Sequence, residues 1–301
     1  MTKFILAISG GVDSRVLLHL TATNYNNFCK QNFQNAIWPN DFIVAHFDHG
    51  IRKIESKNDA KFVQNLAKKY NAKFILGTGN LPSNSSENLA REKRYEFLFN
   101  IENNAKIVTA HHRDDLLETI LINLIRGTKW RGLTPMNNAR ILRPLMNLSK
   151  FEIVNFALEN DLNWVEDESN FSANYFRNRV RNFLLQISEN DKIKLLKTYE
   201  KQRKLYNEIQ PEITKIINEM QKQKYLKCEN NKVEISRYFL IMMNEKSAME
   251  ILRYATKSKL TQPELAQIWL FAKIAAAKKQ LNFCEIKIRA EKRAIIIDIK
   301  D

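Results

Sequence analysis

The sequence predicts an α/β protein: a parallel sheet with helices on both faces, followed by a helical connector and a small α+β domain. Three observations lead there. Four short apolar runs, residues 4–8, 42–47, 73–77 and 106–110, alternate with stretches of helical spacing, the pattern of βα units around a parallel sheet. Three of these runs end in polar clusters, beginning at Ser9, Asp48 and His111, at the strand ends where open α/β sheets bind ligands. After residue 185 the chain changes to a long charged helical stretch and then to alternating strands.

The first run, Phe4 to Ile8, reads as a buried strand, and Arg15 to Leu20 as a helix. Between them lies Ser9-Gly10-Gly11-Val12-Asp13-Ser14. Strand, glycine turn and helix start make an anion cradle. The glycines let backbone N–H groups come close, and the helix N-terminus adds partial positive charge. Ser9 and Ser14 add hydroxyl donors. Asp13 would repel a phosphate unless a divalent cation lay between them, which makes it a Mg²⁺ ligand. The Gly-Lys-Ser/Thr ending of a Walker loop is missing.

The second strand ends in Asp48-His49-Gly50-Ile51-Arg52, which makes His46 and Asp48 candidates for ligand contact. Asn58 to Tyr70 has helical spacing in Ala60, Phe62, Val63, Leu66 and Ala67. Asn84 and Glu87 fit a capping box, so the next helix is expected to start at Ser85. It carries Arg91 and Arg94, and the Arg91 fork suits a phosphate. The fourth strand delivers His111-His112-Arg113-Asp114-Asp115 to the same edge, before a helix through Arg126. The spacing of Asp114, Asp115 and Glu118 puts three carboxylates at one end and side of that helix. Four of the five histidines lie here or at His46 and His49. No Cys joins them and no His-x-x-x-His spacing occurs, so they read as catalytic or substrate-binding rather than zinc-binding.

Gly127 to Pro144 reads as a loop rich in basic and aromatic residues, with Lys129, Trp130 and Arg131 suited to nucleic acid. Ser149 and Glu152 form a second capping box. Trp164 to Asn170 places three acids in a row, and Arg177 and Arg181 share a helical face. Asp191 to Tyr225 is expected to be a helical connector with Leu195, Tyr199, Leu205 and Ile209 as its seam, broken or restarted at Pro211. Val233 to Ile235 reads as a strand and Ser247 to Thr256 as a helix. Thr261 and Glu264 cap another helix to Ala277. Phe283 to Arg289 and Arg293 to Ile299 read as a hairpin.

The chain carries 48 basic and 33 acidic side chains, a net charge of +15. Residues 1–185 hold 24 basic and 18 acidic; residues 186–301 hold 24 and 15, so the shorter part is the more basic. Such an excess favours a polyanionic partner, most simply nucleic acid. No apolar run reaches the roughly 18 residues of a membrane span, so no membrane partner is expected. One Lys followed directly by a strand is no secretory signal. Cys29, Cys228 and Cys284 are far apart and odd in number, which points to a reducing cytoplasm and against a zinc or iron–sulfur site.

Together these motifs resemble the tRNA(Ile)-lysidine synthetase family, within the pyrophosphate-loop ATP pyrophosphatase superfamily. The segments that carry the resemblance are Ser9–Ser14, His46–Arg52, Ala90-Arg91 with Arg94-Tyr95, Thr109–Glu118, Arg126-Gly127, Gly132-Leu133, Arg143-Pro144-Leu145, Trp164–Asn170 and Arg177–Arg181. The likeness is close over residues 1–185 and weaker over 245–299. It departs at Leu116, where the family usually has Gln, at Lys129, where a second Gly is usual, and at Arg15, which replaces a small or apolar residue. The resemblance implies a Rossmann-like, adenine nucleotide alpha hydrolase-like catalytic domain over 1–185, a connector over 186–230 and a tRNA-binding domain over 231–301. It implies that ATP adenylates the wobble cytidine of a CAU-anticodon isoleucine tRNA and that free lysine displaces AMP. By the same resemblance, Ser9, Gly10, Gly11, Val12, Asp13, Ser14, His46 and Asp48 hold ATP, with Mg²⁺ on Asp13. Asp114, Asp115 and Glu118 meet the lysine. His111, Arg91, Arg177 and Arg181 stabilise charge, with Asp13 and Asp115 also catalytic, and Lys129, Trp130 and Arg131 meet tRNA. Two other readings stay open: sulfur insertion, which needs a reactive Cys, and a non-catalytic RNA-binding protein. The sequence does not fix the oligomeric state, a homodimer included.

Overall fold

The computed structural model describes residues 3–34, 36–50, 53–79, 81–82, 85–166 and 175–300. They fall into two units, Met1–Gln202 and Arg203–Asp301.

The first unit is built on β1 (Phe4–Ala7), β2 (Phe42–Asp48), β3 (Lys73–Thr78), β4 (Lys106–Val108) and β5 (Ile141–Leu142). These form one sheet in the order β3-β2-β1-β4-β5, every pair parallel. The alternation of side chains along each strand explains the two layers of core. Phe4, Leu6, Ile8, Val44 and Val108 face one side. There they meet α1 (Val12–Ala22), α2 (Phe28–Asn32), α3 (Lys53–Lys69) and α6 (Lys150–Glu159) through Val16, Cys29, Val63, Leu66 and Ile153. Ile5, Ile43, Ala45 and Ile107 face the other, against Leu98 of α4 (Glu87–Ile101). Strands buried on both faces read as continuous apolar runs rather than alternating ones, which is why β1, β2 and β4 were legible; β3, at the sheet edge and partly exposed, was read from its short apolar run alone.

Several expectations change. β5 lies inside the stretch read as a loop; its two residues are too few to give a periodic signal, and β4 supplies the pairing. The cap of α4 is Ser86, whose Oγ accepts the Leu89 N–H at 3.2 Å, so the helix starts two residues later than expected. Asn84 lies outside the described residues. The Ser149 capping box forms as read: the Ser149 N–H donates to Glu152 at 2.7 Å and the Glu152 N–H returns to Ser149 Oγ at 3.2 Å.

Two more helices complete this unit. α5 (Arg113–Ile125) follows β4, and Leu117 packs on Val180 and Leu184 of α7 (Tyr175–Gln186). α8 (Glu189–Lys222) then runs unbroken for 34 residues with Pro211 inside it, and the boundary between the units falls within this helix. Proline removes one i→i−4 hydrogen bond, and the helical pattern continues past it. The expected seam is half right. Leu195 and Tyr199 pack into the first unit, whereas Leu205 and Ile209 are exposed; Ile213, Ile217 and Met220 pack into the second.

The second unit is an antiparallel sheet, β6 (Leu226–Glu229), β7 (Lys232–Ser236), β8 (Gln280–Phe283), β9 (Ile286–Ala290) and β10 (Ala294–Ile299), in the order β6-β7-β10-β9-β8. The hairpin read from the sequence is β9–β10. Its core is shared with α9 (Arg237–Met242), α10 (Glu245–Ala255) and α11 (Gln262–Ile274). α11 stops at Ile274, three residues short of the expected Ala277. Among the described residues no helix is long and apolar enough to cross a membrane.

Candidate active site

The strand order reverses between β1 and β4, which both pair with neighbours leading away from each other. A crevice opens at such a point beyond the strand ends. The loop after β1 carries the glycine turn and the loop after β4 the histidine pair, and the topology puts them side by side.

The loop after β1 is held by its own serines. Ser14 Oγ accepts the N–H groups of Ser9 at 3.2 Å and Gly10 at 3.1 Å, and donates to the Gly11 carbonyl at 2.9 Å. Gly10 has φ +99°, a conformation L residues rarely adopt, and its carbonyl accepts the Val165 N–H at 3.0 Å. Ser14 is buried and its proton is committed to Gly11, so it shapes the loop instead of offering a free donor; Ser9 is exposed. Val12 opens α1 and packs on the core. Asp13, in the first turn, is half-buried, and its Oδ1 accepts from Lys150 Nζ at 2.5 Å.

Lys150 is the first residue of α6, and its own N–H donates to Asp114 Oδ2 at 2.7 Å. The Arg113 N–H donates to the Leu148 carbonyl at 2.8 Å, tying the start of α6 to the start of α5. One residue thus bridges the two loops. The motif reading missed it. A signal was present: a cation in the first turn of a helix opposes the helix dipole, so it needs an acid from elsewhere.

His112, buried, sits among three carboxylates. Its Nε2 lies 3.4 Å from Asp115 and 3.9 Å from Asp13, and its Nδ1 lies 4.0 Å from Asp114. Asp115 also accepts the His112 N–H at 3.0 Å, which caps α5. His111 faces elsewhere. Its Nδ1 meets Thr109 Oγ1 at 2.7 Å, and burial, then Arg143, Arg91 and Arg94, push its pKa down to about 3. It is neutral at physiological pH, so it serves as a hydrogen-bonding group and not as a cation. Arg91 is exposed and stacks on Tyr95, 5.1 Å from the ring centre.

The three carboxylates do not stay together. Asp114 turns to Lys150 and Asp115 to His112. Glu118 is buried against α7, where it accepts from Arg177 Nε and from Arg181 Nη2, the latter at 3.3 Å. Helical spacing gave their common face but not their partners. His46 is buried, with Nδ1 2.8 Å from the Ile8 carbonyl, so it braces the strand end before the loop. Asp48 accepts the Gly50 N–H at 2.7 Å and fixes the turn after β2. Lys129 is exposed, and Arg131 stacks on Trp130 at 4.7 Å. Glu166 is exposed; Arg52 and residues 167–170 lie outside the described residues.

The PP-loop domain family matches residues 1–188, more than half of the chain. A tRNA(Ile)-lysidine synthase from Wigglesworthia glossinidia brevipalpis is 30% identical over 303 residues, covering 95% of this chain and 72% of the relative. The chain belongs to the tRNA(Ile)-lysidine synthase family. Its relative from Thermosipho africanus is 39% identical over 196 residues, and that from Wolbachia pipientis wMel 40% identical over 201. Those two matches span only 43% and 44% of the relatives' lengths. Among solved structures, the U34-tRNA thiolase NcsA from Methanococcus maripaludis shares the fold, with a TM-score of 0.52 and 18% identity over 66% of this chain and 72% of that one.

Within this family's pattern, the three departures find different settings. Leu116 is buried beside Ile120 and Tyr199, where an apolar side chain fits. Arg15 is buried against Tyr70, its Nη1 3.2 Å from the phenol oxygen. Lys129 stands in the exposed loop after α5.

Proposed function

We propose that this protein joins L-lysine to carbon 2 of the wobble cytidine in isoleucine tRNA with a CAU anticodon. The cytidine oxygen attacks the α-phosphorus of ATP and pyrophosphate leaves. The ε-amine of lysine then attacks carbon 2, and the carbon–oxygen bond breaks to release AMP. Codon reading changes from AUG to AUA, and amino-acid identity from methionine to isoleucine. The observation that carries the proposal is the anion cradle after β1 beside Asp114 and Asp115 at the start of α5, linked by Asp13 and Lys150 at the switch point.

The residues divide the work by their surroundings. Gly11 and the start of α1 offer N–H groups and a helix dipole to the polyphosphate, while the Gly10 N–H is held by Ser14 Oγ and shapes the turn. Neutral His111 donates a hydrogen bond beside Arg91 and Arg143, where negative charge builds on the adenylate. Asp115, lightly exposed, takes the proton that the attacking amine must lose. Glu118 fixes the α7 arginines beside this cluster. Lys129, Trp130 and Arg131 give the tRNA a cationic, stacking surface.

Mg²⁺ fits the donor set. Among the described residues no cluster of three or more His, Cys, Asp or Glu forms a metal cage, and Mg²⁺ takes one or two carboxylates plus substrate phosphates. Asp13 would hold it, and the ion would neutralise phosphate charge. For sulfur insertion, Cys29 of the first unit is buried and its thiol pushed up to about 11, so it carries almost no thiolate near neutral pH; the exposed Cys228 and Cys284 belong to the second unit, away from the PP-loop domain in sequence.

The test is incorporation of labelled lysine into a CAU-anticodon isoleucine tRNA transcript with ATP and Mg²⁺, beside a methionine tRNA. Label in the first RNA alone is expected. No label with tRNA-dependent pyrophosphate release would overturn lysine as the nucleophile while keeping the adenylation half.

A further inference from the structure

We infer that Lys150 is a resident counter-cation of the loop after β1: it holds Asp13 until a divalent cation takes that carboxylate, and it then turns to the polyphosphate. The inference rests on the reading of Asp13 as the Mg²⁺ ligand.

Three features of Lys150 support it. Its ammonium makes the shortest polar contact of Asp13, at 2.5 Å, on an oxygen that a metal would also use. Its backbone is anchored separately, by the N–H bond to Asp114 at 2.7 Å and by the Ser149–Glu152 cap before it. The side chain can therefore change partners while its Cα stays in place. Finally, it sits at the N-terminal end of α6, where the helix dipole disfavours a cation. Asp13 takes the ammonium itself, while Asp114 and Glu152 take backbone N–H groups at the same helix start. Once Asp13 is taken, a bound anion is the best remaining partner within reach of a flexible four-carbon stem.

The arrangement has a chemical use. Without nucleotide, an unpaired Asp13 would repel an incoming polyphosphate from the cradle. A bound ammonium neutralises the loop at no cost in dehydrating a metal, and Mg²⁺ dehydrates reluctantly. When the metal arrives with its nucleotide, Asp13 exchanges one cation for another. The released ammonium adds a second positive charge to the phosphates. Lys150 is thus a competitor of the free metal and a partner of the nucleotide, two roles of opposite sign.

That opposition is measurable on the full chain without turnover. Mn²⁺ would be titrated against nucleotide-free protein by electron paramagnetic resonance, and ATP in excess EDTA by calorimetry. The proteins are wild type, Lys150→Met, Lys150→Arg and Asp13→Asn. Lys150→Met should bind Mn²⁺ about fivefold more tightly and metal-free ATP about fivefold more weakly, the scale of one partly exposed ion pair. Lys150→Arg keeps the charge and should resemble wild type in both. A residue that merely supported the fold would weaken both ligands together, and that result overturns the inference. So does unchanged Mn²⁺ affinity in Lys150→Met while Asp13→Asn abolishes binding, an outcome that leaves Asp13 as the metal ligand. Unchanged Mn²⁺ affinity in Asp13→Asn removes the Asp13 reading, and the inference falls with it.

Discussion

Replacing Glu118 by Gln should lower the stability of the first unit without changing its fold. The Glu118 side chain is 3% exposed, and its two partners, Arg177 and Arg181, are 32% and 48% exposed. Breaking a fully buried pair from one side costs about 3–5 kcal/mol, because the remaining charge is left dry. Here the arginines reach water, so that figure is discounted to about 2 kcal/mol. Gln keeps the volume and one accepting oxygen, which removes any cavity contribution. For a unit of this size the shift in Tm is about 4–8 °C. Glu118→Ala adds a void beside Leu117 and Val180 and should lose about 1–2 kcal/mol more. The assay is thermal unfolding followed by far-ultraviolet circular dichroism, with urea titration as a second axis. A cycle with Arg177→Met isolates the pair, and a coupling above about 0.5 kcal/mol is expected. A Tm change under about 1 °C, or strict additivity in the cycle, would refute the argument that this carboxylate docks α7 on α5.

Four further outcomes follow from the site. Asp13→Ala should abolish pyrophosphate release while tRNA retention on filters survives; full release would remove Asp13 from the chemistry. Asp115→Asn should permit tRNA-dependent pyrophosphate release and block lysine transfer, and normal transfer would show that another group takes the amine proton. His111 has its pKa lowered to about 3 by burial and three arginines, so below about pH 6.5 the unfolded chain takes up a proton that the folded chain refuses. Stability is therefore full above that pH and falls by up to about 1.4 kcal/mol per unit toward pH 3. Urea midpoints should show a shallower acid loss in His111→Gln than in wild type, and parallel curves would contradict the burial argument. Gly10→Ala should lose about 1–3 kcal/mol and weaken ATP binding, since φ +99° strains any Cβ; an unchanged urea midpoint would mean the loop relaxes freely.

What the sequence by itself determined was local. Gly10 and Gly11 after an apolar run announce a tight turn, and at Gly10 the positive φ is one that L residues rarely adopt; Ser149 with Glu152 announces a helix start because the two groups cap each other across one turn. The apolar runs that became β1, β2 and β4 were legible because strands buried on both faces carry no polar break, and β3 was legible although it lies partly exposed at the sheet edge. The same locality explains the misses: β5 is only two residues long, and Ser86 competes with Asn84 in a stretch rich in capping residues. Pro211 ends short helices but not one held by packing at both ends of its length. What only the tertiary structure decided was partnership. No spacing rule could say that Glu118 turns to α7, that Asp114 takes the backbone of Lys150, or that Lys150 reaches Asp13 from 137 residues away in sequence. Nor could it say that burial, with three arginines nearby, would hold His111 neutral. Charge and hydrogen bonding act through space, and the strand order that creates that proximity is set by long-range packing rather than by any one segment.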